Sequence, residues 1–311
     1  MIVSASRRTD IPAFFSEWFM ERVRAGFCLV PNPFNSDQVG QVSLLPEDVD
    51  AIVFWTKNPA PMLRRVEALD GMGYRFYFQF TLNNYPIELE PRVPPLAERI
   101  RSFDALSKMI GASRVIWRYD PIIISSVTDH EFHRATFRML CQALSSLTRR
   151  VVVSIVDLYR KTERRLRSLE AKGIRIEENA FESPSTDALM EDLAAIAKSF
   201  CIEIVTCAEK KDYTSIGIPP GRCIDGDLIE DLWHLHKSWK KDPGQRDECG
   251  CVVSKDIGMP DSCPHGCVYC YATKSGEVAC QRYRGHDPHT TALFGNPEPK
   301  RLPAERQDLL F

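Results

Sequence analysis

Short, nearly continuous apolar runs are the feature of this sequence that most restricts its fold. They cover residues 2–5, 51–55, 76–80, 115–117, 151–156 and 202–205. Strands that are apolar on both faces are typical of parallel sheets with both faces covered. Segments with helical spacing lie between these runs, so the pattern predicts an α/β protein. We expect a partial or complete (β/α) barrel of the TIM type, with a doubly wound open sheet as the competing layout.

Local signals refine this arrangement. Thr128 and Glu131 have the spacing of a capping box and precede a clear helical pattern. Residues 27–45 place a turn-forming segment between two apolar patches, which predicts an inserted hairpin. Composition divides the chain into a barrel core at 1–206, a Cys-rich segment at 207–290 that closes the barrel mouth, and a polar C-terminal tail at 291–311.

Polar residues follow each predicted strand. In a parallel barrel the loops after the strands meet at one end, where the chemistry of such proteins takes place. These side chains include cations, carboxylates and amides, as a pocket for a zwitterionic or polyhydroxylated ligand requires. They are residues 6–10 (S-R-R-T-D), 56–58 (T-K-N), Gln79, Thr81, Asn83, 118–120 (R-Y-D), Asp157, Thr206, Cys207 and Glu209.

Charge and export signals limit the classes of function. The 311 residues include 40 Lys and Arg against 42 Asp and Glu, for a net charge of -2. This balance disfavours extended nucleic-acid binding, in which each neutralised phosphate needs a Lys or Arg. No apolar run reaches the roughly 18 residues of a membrane span, and no signal peptide is recognised. We therefore expect a cytoplasmic protein without a membrane partner, whose eleven cysteines are reduced thiols.

The cysteines fall into groups. Three lie in apolar stretches and are expected to be core thiols, namely Cys28, Cys141 and Cys201. The sharpest pattern is C-P-H-G-C-V-Y-C, which spaces Cys263, Cys267 and Cys270 closely on a Gly-containing loop. Three such thiolates can bind one soft metal centre. In a [4Fe–4S] cluster they would leave one iron open to a substrate or cofactor.

This spacing, with an aromatic residue directly before the last cysteine, resembles the cluster motif of radical S-adenosylmethionine (SAM) enzymes. That resemblance implies a complete or partial α/β barrel, a catalytic [4Fe–4S] cluster on the three cysteines, and reductive cleavage of SAM to a 5′-deoxyadenosyl radical. It also implies an electron donor such as flavodoxin or ferredoxin. Radical SAM enzymes usually carry the motif after their first strand, so a strand at 251–254 feeding this loop would make the order a circular permutation.

The resemblance extends over nearly the whole chain. The motifs R-R-T-D-I-P at 7–12, F-W-T-K-N-P at 54–59, W-R-Y-D-P at 117–121 and C-P-H-G-C-V-Y-C-Y at 263–271 resemble the DUF1848 family. That family is itself similar to the spore photoproduct lyase group, which again implies radical SAM chemistry. The substrate class stays open among small metabolites, peptides and nucleic acids.

Candidate contacts to SAM follow from the strand ends and the motif. We expect Tyr269 to pack against the adenine. Side chains at the strand ends are expected to hold the methionine or ribose parts, and these are Lys57, Gln79, Thr81, Arg118 and Asp120.

A second set of thiols lies in polar surroundings and consists of Cys207, Cys223, Cys249 and Cys251. Four thiolates suffice for a closed iron–sulfur cluster or a structural zinc site. The one-residue gap between Cys249 and Cys251 is tighter than that of zinc knuckles, which favours an auxiliary cluster. Cys280 is an alternative member of this set.

Two other classes of protein fit the same residues. A binding module with zinc at both cysteine sets would hold a ligand at the barrel mouth without chemistry. An electron-transfer protein with two clusters would have no substrate site, and it leaves the polar strand ends unexplained. Bound iron would colour the protein, whereas zinc would not.

Overall fold

The computed structural model describes residues 1–33, 35–157 and 160–298. The predicted C-terminal tail at 291–311 therefore lies within the described residues only as far as 298. No helix in the described ranges is both long and apolar enough to span a membrane.

Strands and helices alternate along the chain. In chain order they are β1 (Ile2–Ala5), α1 (Ile11–Phe14), α2 (Ser16–Ala25), β2 (Phe27–Asn32), β3 (Asn35–Ser43), β4 (Ala51–Thr56), α3 (Ala60–Gly71), β5 (Phe76–Thr81), α4 (Leu96–Ile110), β6 (Val115–Ile122), α5 (His130–Leu144), β7 (Arg150–Ile155), α6 (Arg160–Arg167), α7 (Pro184–Ser199), β8 (Glu203–Cys207), β9 (Pro220–Gly221), α8 (Gly226–Trp233), β10 (Lys255–Asp256) and α9 (Gly276–Arg284).

Eight of the strands form one parallel sheet that curls into a half-barrel. Their order is β10-β1-β4-β5-β6-β7-β8-β9, and each neighbouring pair is parallel. The order does not reverse, as it does in a doubly wound sheet, so the competing layout is wrong. The α/β prediction is confirmed, and β2 and β3 form the separate antiparallel hairpin expected at 27–45.

Alternate strand residues separate the two faces of the sheet. Phe76, Phe78 and Phe80 of β5 pack in the apolar core that includes helices α2 to α5 and α7. Tyr77, between them, lies in a second apolar cluster on the opposite face. Cys223, Cys249 and Cys251 belong to this second cluster, so the cysteine-rich segment packs against the face that the large helices leave uncovered.

The segment at 207–290 contributes both edge strands of the sheet, β9 and β10. β10 pairs with β1 and places Asp256 beside Ser4. The Asp256 carboxylate accepts hydrogen bonds from Ser4 Oγ at 2.8 Å, Ser6 Oγ at 2.6 Å and the Arg7 amide at 2.9 Å. The strand expected at 251–254 is therefore wrong by several residues, because these polar contacts fix Lys255–Asp256 at the edge.

Two other local predictions are wrong. The cap of α5 is Asp129, which accepts from the Phe132 amide at 2.8 Å, rather than Thr128. Thr128 instead donates its hydroxyl to the Ile123 carbonyl at 2.7 Å, which removes it from the cap. Cys201 is exposed rather than a core thiol, because it occupies a turn with a φ of 56° between α7 and β8.

Candidate functional site

A cavity of about 460 Å³ opens at the carboxyl ends of the parallel strands. Its wall includes the last residues of several strands and two groups of thiols. We call the first group the three-cysteine loop (Cys263, Cys267 and Cys270) and the second the four-cysteine set (Cys207, Cys223, Cys249 and Cys251). The wall also includes four of the predicted cofactor contacts at the strand ends, namely Lys57, Thr81, Arg118 and Asp120, together with Tyr269.

Backbone contacts hold the three-cysteine loop in place. The guanidinium of Arg92 donates to the Pro264 carbonyl at 2.5 Å, and Arg165 donates to the carbonyls of Cys270 and Thr273. The Val268 amide donates to a carbonyl of the 82–95 loop at 3.0 Å. Cations from two other parts of the chain thus hold the carbonyls at the beginning and end of this loop, and its three cysteines line the cavity.

Burial sets the protonation of the loop thiols. It raises the pKa of Cys263 well above its usual value, and the nearby Asp10 carboxylate adds to this. Burial also raises the pKa of Cys267 to about 12, although the Lys57 ammonium opposes the shift. Both thiols are thus neutral without a metal, and a bound cation would have to displace their protons.

His265, between the first two cysteines, ties the loop to two strand ends. Its Nε2 lies 2.9 Å from Asp10 Oδ2, and the same oxygen accepts from the Lys57 amide at 2.7 Å. The other Asp10 oxygen accepts from the Ala13 amide at 3.0 Å and caps α1. One buried carboxylate therefore fixes the ends of β1 and β4 and the three-cysteine loop relative to each other.

Glu90 anchors the other side of the loop. Its carboxylate lies 2.8 Å from Lys57 Nζ and 3.8 Å from Arg99 Nη1, and it accepts from the Tyr269 hydroxyl. Burial raises the pKa of Glu90, but the charges of Lys57 and Arg99 outweigh burial and hold the pKa below its usual value. Tyr269 is consequently held in place, a residue only 9% exposed, with its ring beside Lys57 and Tyr85.

The four-cysteine set is built from three parts of the chain. Cys207 ends β8, Cys223 follows β9, and Cys249 and Cys251 lie between α8 and β10. The Cys207 and Cys223 sulfurs are 3.1 Å apart. Cys251 accepts hydrogen bonds from the thiols of Cys223 and Cys249, and these bonds lower its pKa. The four thiols therefore form one continuous chain of contacts.

Two buried side chains of β5 position Cys223. The hydroxyl of Tyr77 donates to the Cys223 carbonyl at 2.7 Å, and Gln79 Nε2 donates to it at 2.9 Å. Gly221 permits the approach of β9 to β8, because a Cβ there would lie 2.5 Å from Val205 Cγ2. A side chain at 221 would therefore push Cys223 away from Cys207.

Arg118 contacts the four-cysteine set. Arg118 Nη1 donates to the Cys223 sulfur at 2.7 Å, while Arg118 Nε donates to Asp120 at 3.0 Å. Contact with the Cys223 side chain lowers the pKa of Cys207 to about 7, burial opposes this shift, and the Arg118 charge supports it. Gln79 does not line the cavity. Its Oε1 accepts a hydrogen bond from Arg118 Nη1 at 3.3 Å and so helps to position the guanidinium.

Two wall residues were not among the cofactor contacts predicted from the sequence, although Arg7 was counted with the polar strand ends. Arg7 stacks on Trp55 with its guanidinium carbon 5.5 Å from the ring centroid. Tyr271, 55% exposed, donates its hydroxyl to the Arg7 carbonyl at 3.0 Å. The polar run after the first strand and the second tyrosine of C-V-Y-C-Y were the available signals. Cys280 lies outside the wall, 3.9 Å from the Pro264 carbonyl, so it adjoins the three-cysteine loop and not the four-cysteine set.

In the described ranges no three His, Cys, Asp or Glu side chains form a group able to hold one metal ion. A single zinc ion needs ligands that converge on one point. In a [4Fe–4S] cluster each thiolate binds a different iron, so the sulfurs need not meet at one point.

Comparison with known proteins places the chain at the level of its family. No curated protein matches it. The family model for DUF1848, described as a domain of unknown function, matches residues 2–272. The family resemblance seen in the sequence is thereby confirmed, and the chain belongs to the DUF1848 family.

Proposed function

We propose that this protein is a radical SAM enzyme whose three-cysteine loop holds a catalytic [4Fe–4S] cluster. The observation that carries the proposal is the placement of Cys263, Cys267 and Cys270 on one cavity wall with Lys57 and Arg118. In a parallel α/β barrel this end of the sheet is where ligands bind and react. A structural metal site has no need of a cavity of about 460 Å³ beside it.

The order of the strands supports a circular permutation. β10 lies at the sheet edge beside β1, and the chain runs from β10 into the three-cysteine loop. We infer that β10 takes the place of the first strand of the usual radical SAM order, with β1 as the second. Gly258, two residues after β10, permits this packing, because a Cβ there would lie 2.1 Å from Ser6 Oγ.

The loop fits a cluster with one open iron. It supplies three thiols, and Arg92 and Arg165 already bind its Pro264 and Cys270 carbonyls. The neighbouring His265 and Glu90 are both committed to buried partners, Asp10 and Lys57, and so do not supply a fourth ligand. When bound, the cluster and SAM would supply reductive cleavage of the sulfonium to a 5′-deoxyadenosyl radical.

The chain's own residues would orient SAM and exclude water. Asp120 and Thr81 line the cavity and offer a carboxylate and a hydroxyl to the amino, carboxylate or ribose groups. Lys57 and Arg118 offer cations, and Gln79 acts through Arg118. Tyr269 remains the proposed adenine contact, and Tyr271 adds a more exposed aromatic surface on the same wall.

The reaction on the substrate is left open by these residues. Flavodoxin or ferredoxin would be a suitable electron donor, since the proposal needs one external electron per cleavage. The zinc-stabilised binding module is the second candidate, and it leaves the cavity beside the three-cysteine loop without a role.

The deciding experiment measures 5′-deoxyadenosine. Protein purified without oxygen and reconstituted with iron and sulfide is reduced with dithionite and mixed with SAM. We expect 5′-deoxyadenosine from the natural chain and none from Cys267→Ala. Cys280→Ala, in a thiol that adjoins the loop but lies outside the cavity wall, is the matched control and should retain the activity.

Each alternative outcome has a clear meaning. Cleavage of SAM by Cys267→Ala would remove this loop from the catalytic site. Purification with zinc and without iron, together with no 5′-deoxyadenosine after reconstitution, would refute the radical mechanism and favour the binding module.

A further inference from the structure

We propose that the four-cysteine set holds a second iron–sulfur cluster, and that Arg7 and Arg118 balance its negative charge. This proposal goes beyond SAM cleavage and does not depend on it, because a different set of residues carries it. Four cysteines from three separate parts of the chain meet at one place, which packing alone does not require.

The thiols of the four-cysteine set contact one another. Cys207 and Cys223 lie 3.1 Å apart, and Cys251 accepts from both Cys223 and Cys249. The Ile224 amide also donates to the Cys251 sulfur at 3.4 Å. An amide hydrogen bond to a cysteine sulfur is one of the interactions that tune iron–sulfur clusters. The set therefore already has the supporting contacts of such a site.

The negative charge of a cluster on four thiolates needs cations nearby. Four thiolates around a [4Fe–4S]²⁺ core leave two negative charges, which are costly to bury without cations. Arg118 Nη1 donates to the Cys223 sulfur at 2.7 Å, and part of its charge is shared with Asp120. Arg7 forms no ion pair with a carboxylate of the described residues, and its buried Nη2 has no hydrogen-bond partner there.

This unpartnered nitrogen points to a missing anion. Arg7 lines the same cavity wall as Cys223 and Cys251, so an anion bound to these thiols would share the cavity with its guanidinium. Although burial opposes the shift, the charges of Cys251 and Cys223 raise the pKa of Arg7. A buried guanidinium nitrogen without an acceptor is costly, and the sulfurs of a dianionic cluster on Cys251 and Cys223 would supply the acceptor.

The cavity beside the four-cysteine set has room for a cluster. The set lines the same cavity as the three-cysteine loop, so there is open space on which an iron–sulfide core can be built. Because both cysteine groups line one cavity, a molecule bound in it would lie between the two clusters.

The test removes the first cluster and counts iron in the second. The variant Cys263→Ala/Cys267→Ala/Cys270→Ala is reconstituted without oxygen with iron and sulfide. We expect about four irons per chain, and a visible absorbance that dithionite bleaches by one-electron reduction. Adding Cys223→Ala and Cys251→Ala to this variant should remove the iron, whereas adding Cys141→Ala, in the core of α5, should not.

A second measurement applies if the triple variant does not fold. In the otherwise natural chain, Cys223→Ala/Cys251→Ala should lower the iron from about eight to about four per chain. Unchanged iron in this variant, or one zinc per chain in place of the second cluster, would overturn the proposal. Loss of SAM cleavage alone would not, because cleavage reports on the three-cysteine loop.

The role of Arg7 has its own readout. Loss of a cation beside a cluster makes the added electron less favourable, so Arg7→Gln should shift the reduction potential of the second cluster to a more negative value. Arg8→Gln, the adjacent residue on the cavity wall, is the matched control. Equal potentials in Arg7→Gln and the natural chain would refute the charge-balancing role.

Discussion

Replacing Glu90 with glutamine should destabilise the protein by about 3 kcal/mol, the lower end of the range for breaking a buried ion pair. The Glu90 side chain is 1% exposed, and its partners Lys57 and Arg99 are 13% and 3% exposed. Glutamine keeps one oxygen as an acceptor for Tyr269, so part of the hydrogen bonding survives. Two cations would nevertheless stay buried without their carboxylate.

The pH dependence carries the same reasoning. The native pKa of Glu90 is held below the usual 4.5, so its stabilising effect is complete above that value. As the pH falls below 4.5 the unfolded chain takes up the proton first, and the effect is lost. The difference between the natural chain and Glu90→Gln should therefore be largest near neutral pH and shrink in acid.

The assay is urea unfolding followed by tryptophan fluorescence, on protein without metal, at neutral pH and at pH 4. Glu88→Gln, two residues earlier and only partly buried, is the matched control. The same variants should be reconstituted, since a loosened Tyr269 should also lower iron retention on the three-cysteine loop. Stability of Glu90→Gln within roughly 0.5 kcal/mol of the natural chain would refute the reasoning.

Three further changes have expected results. Burial lowers the pKa of His133 to about 4, so between pH 6.5 and 4 a proton binds this histidine only in the unfolded chain. The natural chain should therefore lose about 3 kcal/mol of stability across that window. In urea unfolding, His133→Asn should lose less stability over the same pH range. Gly221→Ala should cost about 1–3 kcal/mol by overpacking against Val205, and should lower the iron content of the four-cysteine set. Trp117→Phe should cost about 1–3 kcal/mol in urea unfolding, because the buried Leu82 carbonyl loses the indole donor at 3.0 Å.

Matched variants control these measurements. The control for His133→Asn is His130→Asn, because His130 is partly exposed on the same helix. The control for Gly221→Ala is Gly71→Ala, where the new Cβ has open space around it. The control for Trp117→Phe is Trp233→Phe, because Trp233 is less buried than Trp117. A pH dependence of stability that is the same in His133→Asn and the natural chain would contradict the first prediction. Equal stability of Gly221→Ala and Gly71→Ala would contradict the second prediction. Equal stability of Trp117→Phe and Trp233→Phe would contradict the third.

The strands were predictable because their signal is local. Runs such as Phe76 to Phe80 are apolar on both faces, and only a covered parallel sheet accepts them. Helix caps were less predictable. Thr128 and Asp129 are both good capping residues, and the choice between them depends on the Ile123 carbonyl, which the sequence does not place near either one.

The three-cysteine loop could also be recognised from spacing alone, since its residues lie within one turn-rich segment. The sequence could not show what surrounds it. Glu90 comes from the loop after β5 and Asp10 from the loop after β1, and each meets the cysteine loop only because the strands are parallel and neighbouring. Such contacts depend on the curl of the sheet rather than on any local pattern.

The sequence by itself therefore determined the α/β class, the family and the close spacing of the three cysteines of the loop, because periodicity and spacing act over short stretches of chain. Only the tertiary structure decided that β10 joins the edge of the sheet beside β1, that both cysteine groups and Arg7 line one cavity, and that Arg118 contacts the four-cysteine set. These arrangements rest on contacts between residues far apart in the chain, and burial and charge pairing select them only when the whole sheet has formed.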